Sequence, residues 1–113
     1  MKNLNSLEYK QYDIVLVNLN PTQGSEIAKT RPCVIISPDE MNDNLRTIII
    51  APFTHSDKKY PTRVRVQQET VQGWVAIDQI QTIDKLRIVE NLGNLNFSQV
   101  KQIKQVIRET FVD

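Results

Sequence analysis

The chain has one cysteine and one histidine among its 113 residues. A lone Cys33 cannot close an internal disulfide, and its place between Pro32 and Val34 suits a buried structural thiol better than a nucleophile. With one Cys and one His there is no cluster at metal-ligand spacing, so the sequence calls for no metal and no cofactor. Long apolar runs are missing as well. The longest, Ile48 to Phe53, is of strand length and falls well short of the ~18 residues a membrane span requires. Met1 to Tyr9 contains no hydrophobic stretch of the signal-peptide kind, so the cytoplasm is the expected compartment. Net charge is also scarce. At +1 it argues against coating nucleic acid by bulk electrostatics, yet leaves room for a local groove with one or two arginines. Internal repeats and low-complexity tracts are absent.

What is present suffices for one ordinary domain. Forty per cent of residues are hydrophobic and 24% charged, a balance that disfavours disorder and supports a core without covalent or metal staples. Residues 1–10 read as a polar leader and 11–113 as a single domain. Asp13 to Leu19 is rich in β-branched residues, and Cys33 to Ile36 is a short apolar run; both predict buried strands. A third strand, continuously apolar, runs from Arg46 or Thr47 to Thr54. Thr62 to Gln67 alternates with period two, which turns Val64 and Val66 inward and puts Arg63 and Arg65 on one exposed face. Gly73 to Ile77 and Arg87 to Gly93 complete six strands, with a short helical turn expected over Ile83 to Leu86.

One long helix is expected, at the end. Phe97, Val100, Ile103, Val106, Ile107 and Phe111 recur at three- and four-residue spacing and predict one apolar face. Asn96 is placed to cap it with Gln99 at the third helical position, and Leu95 to staple onto Val100. Short, closely spaced strands with a single terminal helix cannot build a doubly wound parallel sheet. They predict a mainly β (α+β) fold, a small and strongly bent antiparallel barrel with a C-terminal amphipathic helix.

The stretch from Asn20 to Pro32 carries more chemistry than a plain connection needs. Pro21, Gly24 and Pro32 shape it as a loop, and it holds Glu26, Arg31 and the hydroxyls of Thr22, Ser25 and Thr30. Two further places stand at strand ends: Thr54 with His55, and Asp78 with Gln79. Each has a plain alternative. Arg31 and Glu26 can form an exposed ion pair worth roughly 0–1 kcal/mol, Asp78 can cap its own turn, and His55 beside Ser56 and Asp57 is poorly placed for a triad.

Taken in order, Pro21-Thr22, Gly24-Ser25-Glu26, Arg31-Pro32 leading to Ser37-Pro38, Pro52-x-Thr54, Tyr60-Pro61 and Gly73 followed by Asp78-Gln79 resemble the MazF/PemK family of bacterial toxins over roughly residues 11–112. The resemblance implies an SH3-like barrel of the CcdB/MazF kind, a homodimer, and a metal-independent endoribonuclease that cuts single-stranded RNA at short sequences. It also implies a cognate antitoxin protein, through which the toxin meets DNA indirectly. Carried over by position, Arg31 and Thr54 match the family's catalytic pair, Glu26 its loop acid, and Asp78 an aspartate with a catalytic role in some members. RNA contacts are expected from Thr22, Ser25, Thr30, His55, Lys58, Lys59, Arg63 and Gln79, with Arg65 and Tyr60 flanking the same path. Two rival classes share the fold: a CcdB-like inhibitor of DNA gyrase, whose Trp-Gly-Ile ending this chain lacks, and a non-catalytic RNA- or antitoxin-binding barrel.

Overall fold

The computed structural model describes residues 8–20, 29–56 and 60–113. Its strands are β1 (Asp13–Asn20), β2 (Lys29–Ile35), β3 (Thr47–Thr54), β4 (Arg63–Gln67), β5 (Gln72–Ala76), β6 (Gln81–Asp84) and β7 (Ile88–Asn94). The α-helices among the described residues are α1 (Asp39–Asn44) and α2 (Phe97–Ile107), the latter continued by a π-helical turn over Arg108–Val112. The antiparallel sheet runs β4-β5-β3-β2-β1-β7, with β6 joined to β3. β3 is the spine. Its first half, Thr47 to Ile50, pairs with β6, whereas its last two residues, Phe53 and Thr54, pair with β5. On its other edge it meets β2 from Ile50 to Pro52.

This bent sheet buries two clusters on opposite faces. Ile14, Val34, Ala51, Phe53, Val64, Val66, Val75 and Ile77 form the larger, with Ile103 of α2 packed into it. Val15, Val17, Cys33, Ile35, Ile48, Ile50 and Ile83 form the second. Alternation explains the division: neighbouring residues of a strand point to opposite faces, so β1, β2 and β3 each supply both clusters. A strand buried on both faces reads as a continuous apolar run, which is why β3 is Thr-Ile-Ile-Ile-Ala-Pro-Phe-Thr.

The expected architecture is present, with differences of detail. The described residues hold seven strands rather than six, because Gln81–Asp84 is a strand and the helical turn falls on Lys85–Arg87. Asp84 closes the strand by accepting the Leu86 amide at 2.8 Å. β2 begins at Lys29, four residues before the predicted start, so Arg31 lies inside a strand and Pro32 pairs with Leu16. Proline is tolerated there because β3 joins β2 only from Cys33 onward, which leaves Pro32 on a local edge where no ladder donor is needed.

The terminal helix starts as its sequence predicts. The Asn96 side chain accepts the Gln99 amide at 2.8 Å, and the Gln99 side chain accepts the Asn96 amide at 3.0 Å. Ile103 is fully buried, and Val100, Val106 and Ile107 pack beside it. Phe97 and Phe111, expected on the same face, are instead 80% and 59% exposed. At about 100° per residue, Phe97 stands roughly 120° from Ile103, off the centre of the stripe, and Phe111 lies beyond α2 in a π-helical turn over Arg108–Val112.

Candidate active site at the ends of β2 and β3

The pairing Ile35 to Ile50, Val34 to Ala51 and Cys33 to Pro52 fixes the register of β2 against β3. Carried two residues further on each strand, that register sets Arg31 opposite Thr54, on the face of Cys33 and Pro52. Beyond this point β2 keeps only β1, with Arg31 against Val17, while β3 takes up β5, with Thr54 against Trp74. The two strands therefore part at this place. Arg31 stands on one lip and Thr54 on the other.

Arg31 is exposed and Thr54 half-buried. The Thr54 hydroxyl oxygen accepts the Ser56 amide at 3.2 Å. That bond holds the side chain and leaves its proton to be donated elsewhere. A cavity of about 420 Å³ opens beside Arg31, lined by Leu19, Lys29, Thr30 and Arg31. Two cations and a hydroxyl on its wall suit a phosphoryl group.

Behind Arg31 lies the second apolar cluster. The Cys33 thiol belongs to it and donates to the Arg31 carbonyl at 3.5 Å. Burial pushes this thiol up to about 12, with the Arg31 charge opposing the rise only partly. Thiolate chemistry is thereby suppressed at neutral pH, and Cys33 serves as packing.

Asp78 follows β5 in a short 3₁₀ turn over Ile77–Gln79. Its carboxylate accepts Arg63 Nε at 2.9 Å, Arg63 NH2 at 3.3 Å and the Thr62 hydroxyl at 2.9 Å. The Arg63 hydrogen bond is the largest cause of a pKa held below the usual carboxylate value, opposed by burial. The Arg63 guanidinium also lies over the Tyr60 ring, 4.9 Å from its centroid. Because Thr54 faces Trp74, Asp78 lies four residues farther along the β5 segment, on the order of 10 Å from Thr54. Within one protomer, the register of β2 and β3 carried two residues on sets Arg31 and Thr54 on one face at the parting of the strands, and Asp78 is paired with Arg63.

The chain matches the model of the PemK-like, MazF-like toxins of type II toxin-antitoxin systems over residues 10–111. It belongs to that family. An endoribonuclease MazF from Staphylococcus saprophyticus is 34% identical over 101 residues, covering 84% of each chain. The fold agrees with MazF from Deinococcus radiodurans, at a TM-score of 0.77 and 23% identity over 92% of this chain and 96% of that one. It agrees equally with the D. radiodurans toxin of a MazE-MazF crystal form, at 0.80 and 22% over the same shares. A mycobacterial endoribonuclease in complex with its cognate antitoxin gives 0.77 and 19%, covering 89% and 92%.

In this MazF-like frame the remaining predicted residues divide into three groups. Thr22, Ser25 and Glu26, like Lys58 and Lys59, lie outside the described residues. Thr30 and His55 are exposed beside Arg31 and Thr54 respectively, at the parting of the strands. Gln79 is exposed next to Asp78, whereas Arg63, expected on a solvent face, has a side chain only 7% exposed. Its desolvation is offset by the paired carboxylate.

Two residues near Arg31 and Thr54 are not singled out by the sequence. Lys29 was read as part of a loop, yet it opens β2 and lines the cavity. Trp74 was read only as a strand residue, although the inward phase of Val75 already implies that its neighbour faces the other way. Among the described residues, no three His, Cys, Asp or Glu side chains are grouped to hold a metal ion. No helix in these parts is long and apolar enough to cross a membrane.

Proposed function

We propose that this chain is the toxin of a toxin-antitoxin pair and cuts single-stranded RNA by transesterification at the 2′-hydroxyl. What supports the reading is the pairing of Cys33 with Pro52, which, carried two residues further along each strand, sets Arg31 and Thr54 on one face where β2 and β3 part. In the reaction the 2′-oxygen attacks phosphorus and the bond from phosphorus to the 5′-oxygen breaks, giving a 2′,3′-cyclic phosphate and a 5′-hydroxyl. Arg31 presents a planar fork of donors to the phosphoryl oxygens as charge builds on them, and Thr54 adds one hydroxyl donor.

Proton transfer needs other groups. Arg31 offers donors and no acceptor, so it is a poor base. Asp78 is a weak one, because Arg63 and Thr62 already occupy its lone pairs and lower its pKa. Glu26 or a water then takes the 2′ proton, and a water gives the departing 5′-oxygen the proton that makes it a hydroxyl. Asp78 acts by positioning, tying the turn after β5 to β4. Thr22, Ser25, Thr30, His55, Lys58, Lys59 and Gln79 supply RNA contacts around this centre, with no metal or cofactor required.

The functional unit we propose is a homodimer silenced by a cognate antitoxin, an acidic and partly disordered protein that covers the RNA entrance. DNA is reached only through that partner. The Deinococcus MazE-MazF and mycobacterial toxin-antitoxin complexes support this assignment.

The test is cleavage of a defined RNA by the purified protein, with chelator present and with a single 2′-deoxy sugar at the cut. Cutting that persists in chelator and stops with the deoxy sugar supports the mechanism. Cutting of the deoxy substrate, or dependence on added metal, would overturn it.

A further inference from the structure

Thr54 does not stand alone on its face of the sheet. Directly across from it on β5 is Trp74, and directly across from Trp74 on β4 is Arg65. Side chains at paired positions of adjacent strands point the same way, so the three form a transverse row. The alternate positions, including Val64, Val75 and Phe53, are buried in the larger core on the opposite face. The row therefore lies on the outside, with Thr54 at one end and Arg65 two strand spacings away, about 10 Å.

The two arginines of β4 differ in what they are free to do. Arg63 is locked to Asp78 and nearly buried. Arg65 is exposed, and among the described residues it forms no ion pair; its guanidinium lies over the Trp74 ring at 5.5 Å from the centroid, with one weak bond to the Gln67 side chain at 3.4 Å. A guanidinium stacked on an indole is held in place while its N–H edges stay open to an anion. A half-buried indole next to it offers an apolar surface on which a base can lie.

Resting on the nuclease reading, we propose that Trp74 and Arg65 form the subsite for the nucleotide that flanks the cut phosphodiester. Arg65 takes that nucleotide's phosphate and Trp74 its base. The span from Thr54 suits a neighbouring nucleotide rather than the cut phosphate itself, so the pair acts on binding and on sequence preference at one position, not on the bond-breaking step.

Trp74 is the only tryptophan in the chain, so its fluorescence reports on this place alone. The experiment titrates the full-length protein with an RNA made uncleavable by one 2′-deoxy sugar, following Trp74 emission and, independently, the anisotropy of labelled RNA. Binding is expected to quench Trp74. Arg65→Ala should weaken binding about tenfold and lower the slope of log affinity against log salt by about 0.7, the share of one phosphate on a single strand. Trp74→Leu should also lose about tenfold, and Trp74→Phe should recover most of it. On cleavable RNA these losses should fall in KM rather than kcat.

RNA that binds without altering Trp74 emission, with Arg65→Ala and Trp74→Leu matching the parent in affinity and salt slope, overturns the subsite. Should the parent still cut in an Arg31-dependent way, the nuclease reading survives that result. If the parent neither binds nor cuts RNA, both fall.

Discussion

Arg63 grips Asp78 through two hydrogen bonds, Nε to Oδ1 at 2.9 Å and NH2 to Oδ2 at 3.3 Å, at the junction of β4 with the turn after β5. A fork of this geometry favours the ionised carboxylate, and it ties the turn after β5 to β4. Thr62 completes the arrangement from the same strand end.

This pairing predicts a pH effect of definite sign. The folded pKa of Asp78 lies below its ordinary value of 3.8, so the stabilisation is fully present above that value. It is lost as pH falls through the lower, folded value. Asp78→Asn should therefore reduce stability near neutrality and match the parent in strong acid. Because the Asp78 side chain is 36% exposed, solvent screening limits the loss to about 1 kcal/mol, a fall in Tm of about 4 °C. Thermal unfolding from pH 7 to pH 2 checks this; a difference that widens in acid would contradict it.

Gly73 lies next to Trp74 with φ of +153°, and a Cβ there would stand 3.0 Å from the Thr54 carbonyl oxygen and 3.4 Å from Phe53 Cδ2. The obstruction is backbone, which cannot swing aside. Gly73→Ala should thus cost about 1–3 kcal/mol and displace Thr54, lowering RNA cutting as well as stability. Urea unfolding and cleavage rates measured on the same variant decide it. An unchanged denaturation midpoint would mean that β5 has room to move.

Cys33 is fully buried and its thiol is pushed up to about 12. Iodoacetamide at pH 8 should leave the folded protein unlabelled and modify it readily in denaturant. Cys33→Ala should cost about 1 kcal/mol through lost packing. Rapid labelling of the native state would show that the cluster behind Arg31 opens.

Much of this architecture is legible from pattern. β3 is announced by its uninterrupted apolar run, β4 by the alternation of Arg63-Val64-Arg65-Val66, and α2 by Asn96 and Gln99. Register is another matter. That Thr54 faces Trp74 depends on which strands adjoin, and the sequence of one strand does not name its neighbour. The early start of β2 was hidden because Pro32 signals a break, yet it stands where a missing amide costs nothing. The fate of Arg63 was hidden for a similar reason. Period two names the face on which a side chain emerges, but not the carboxylate waiting for it fifteen residues later. Phe97 shows the converse error, in which spacing alone admits a residue at the margin of a helical stripe, and Phe111 falls where the α-helix has already given way to a π-helical turn.

The most direct measurement is the single-turnover rate of RNA cleavage by the parent, Arg31→Ala and Thr54→Ala, each verified as folded. Arg31 is exposed and Thr54 half-buried, so truncation should spare the fold and show in the chemistry. Each change should slow cutting by about 10²–10³ through loss of a donor that meets charge in the transition state. Rates within a few-fold of the parent in both variants would contradict the account, because the two side chains would then have no part in breaking the bond.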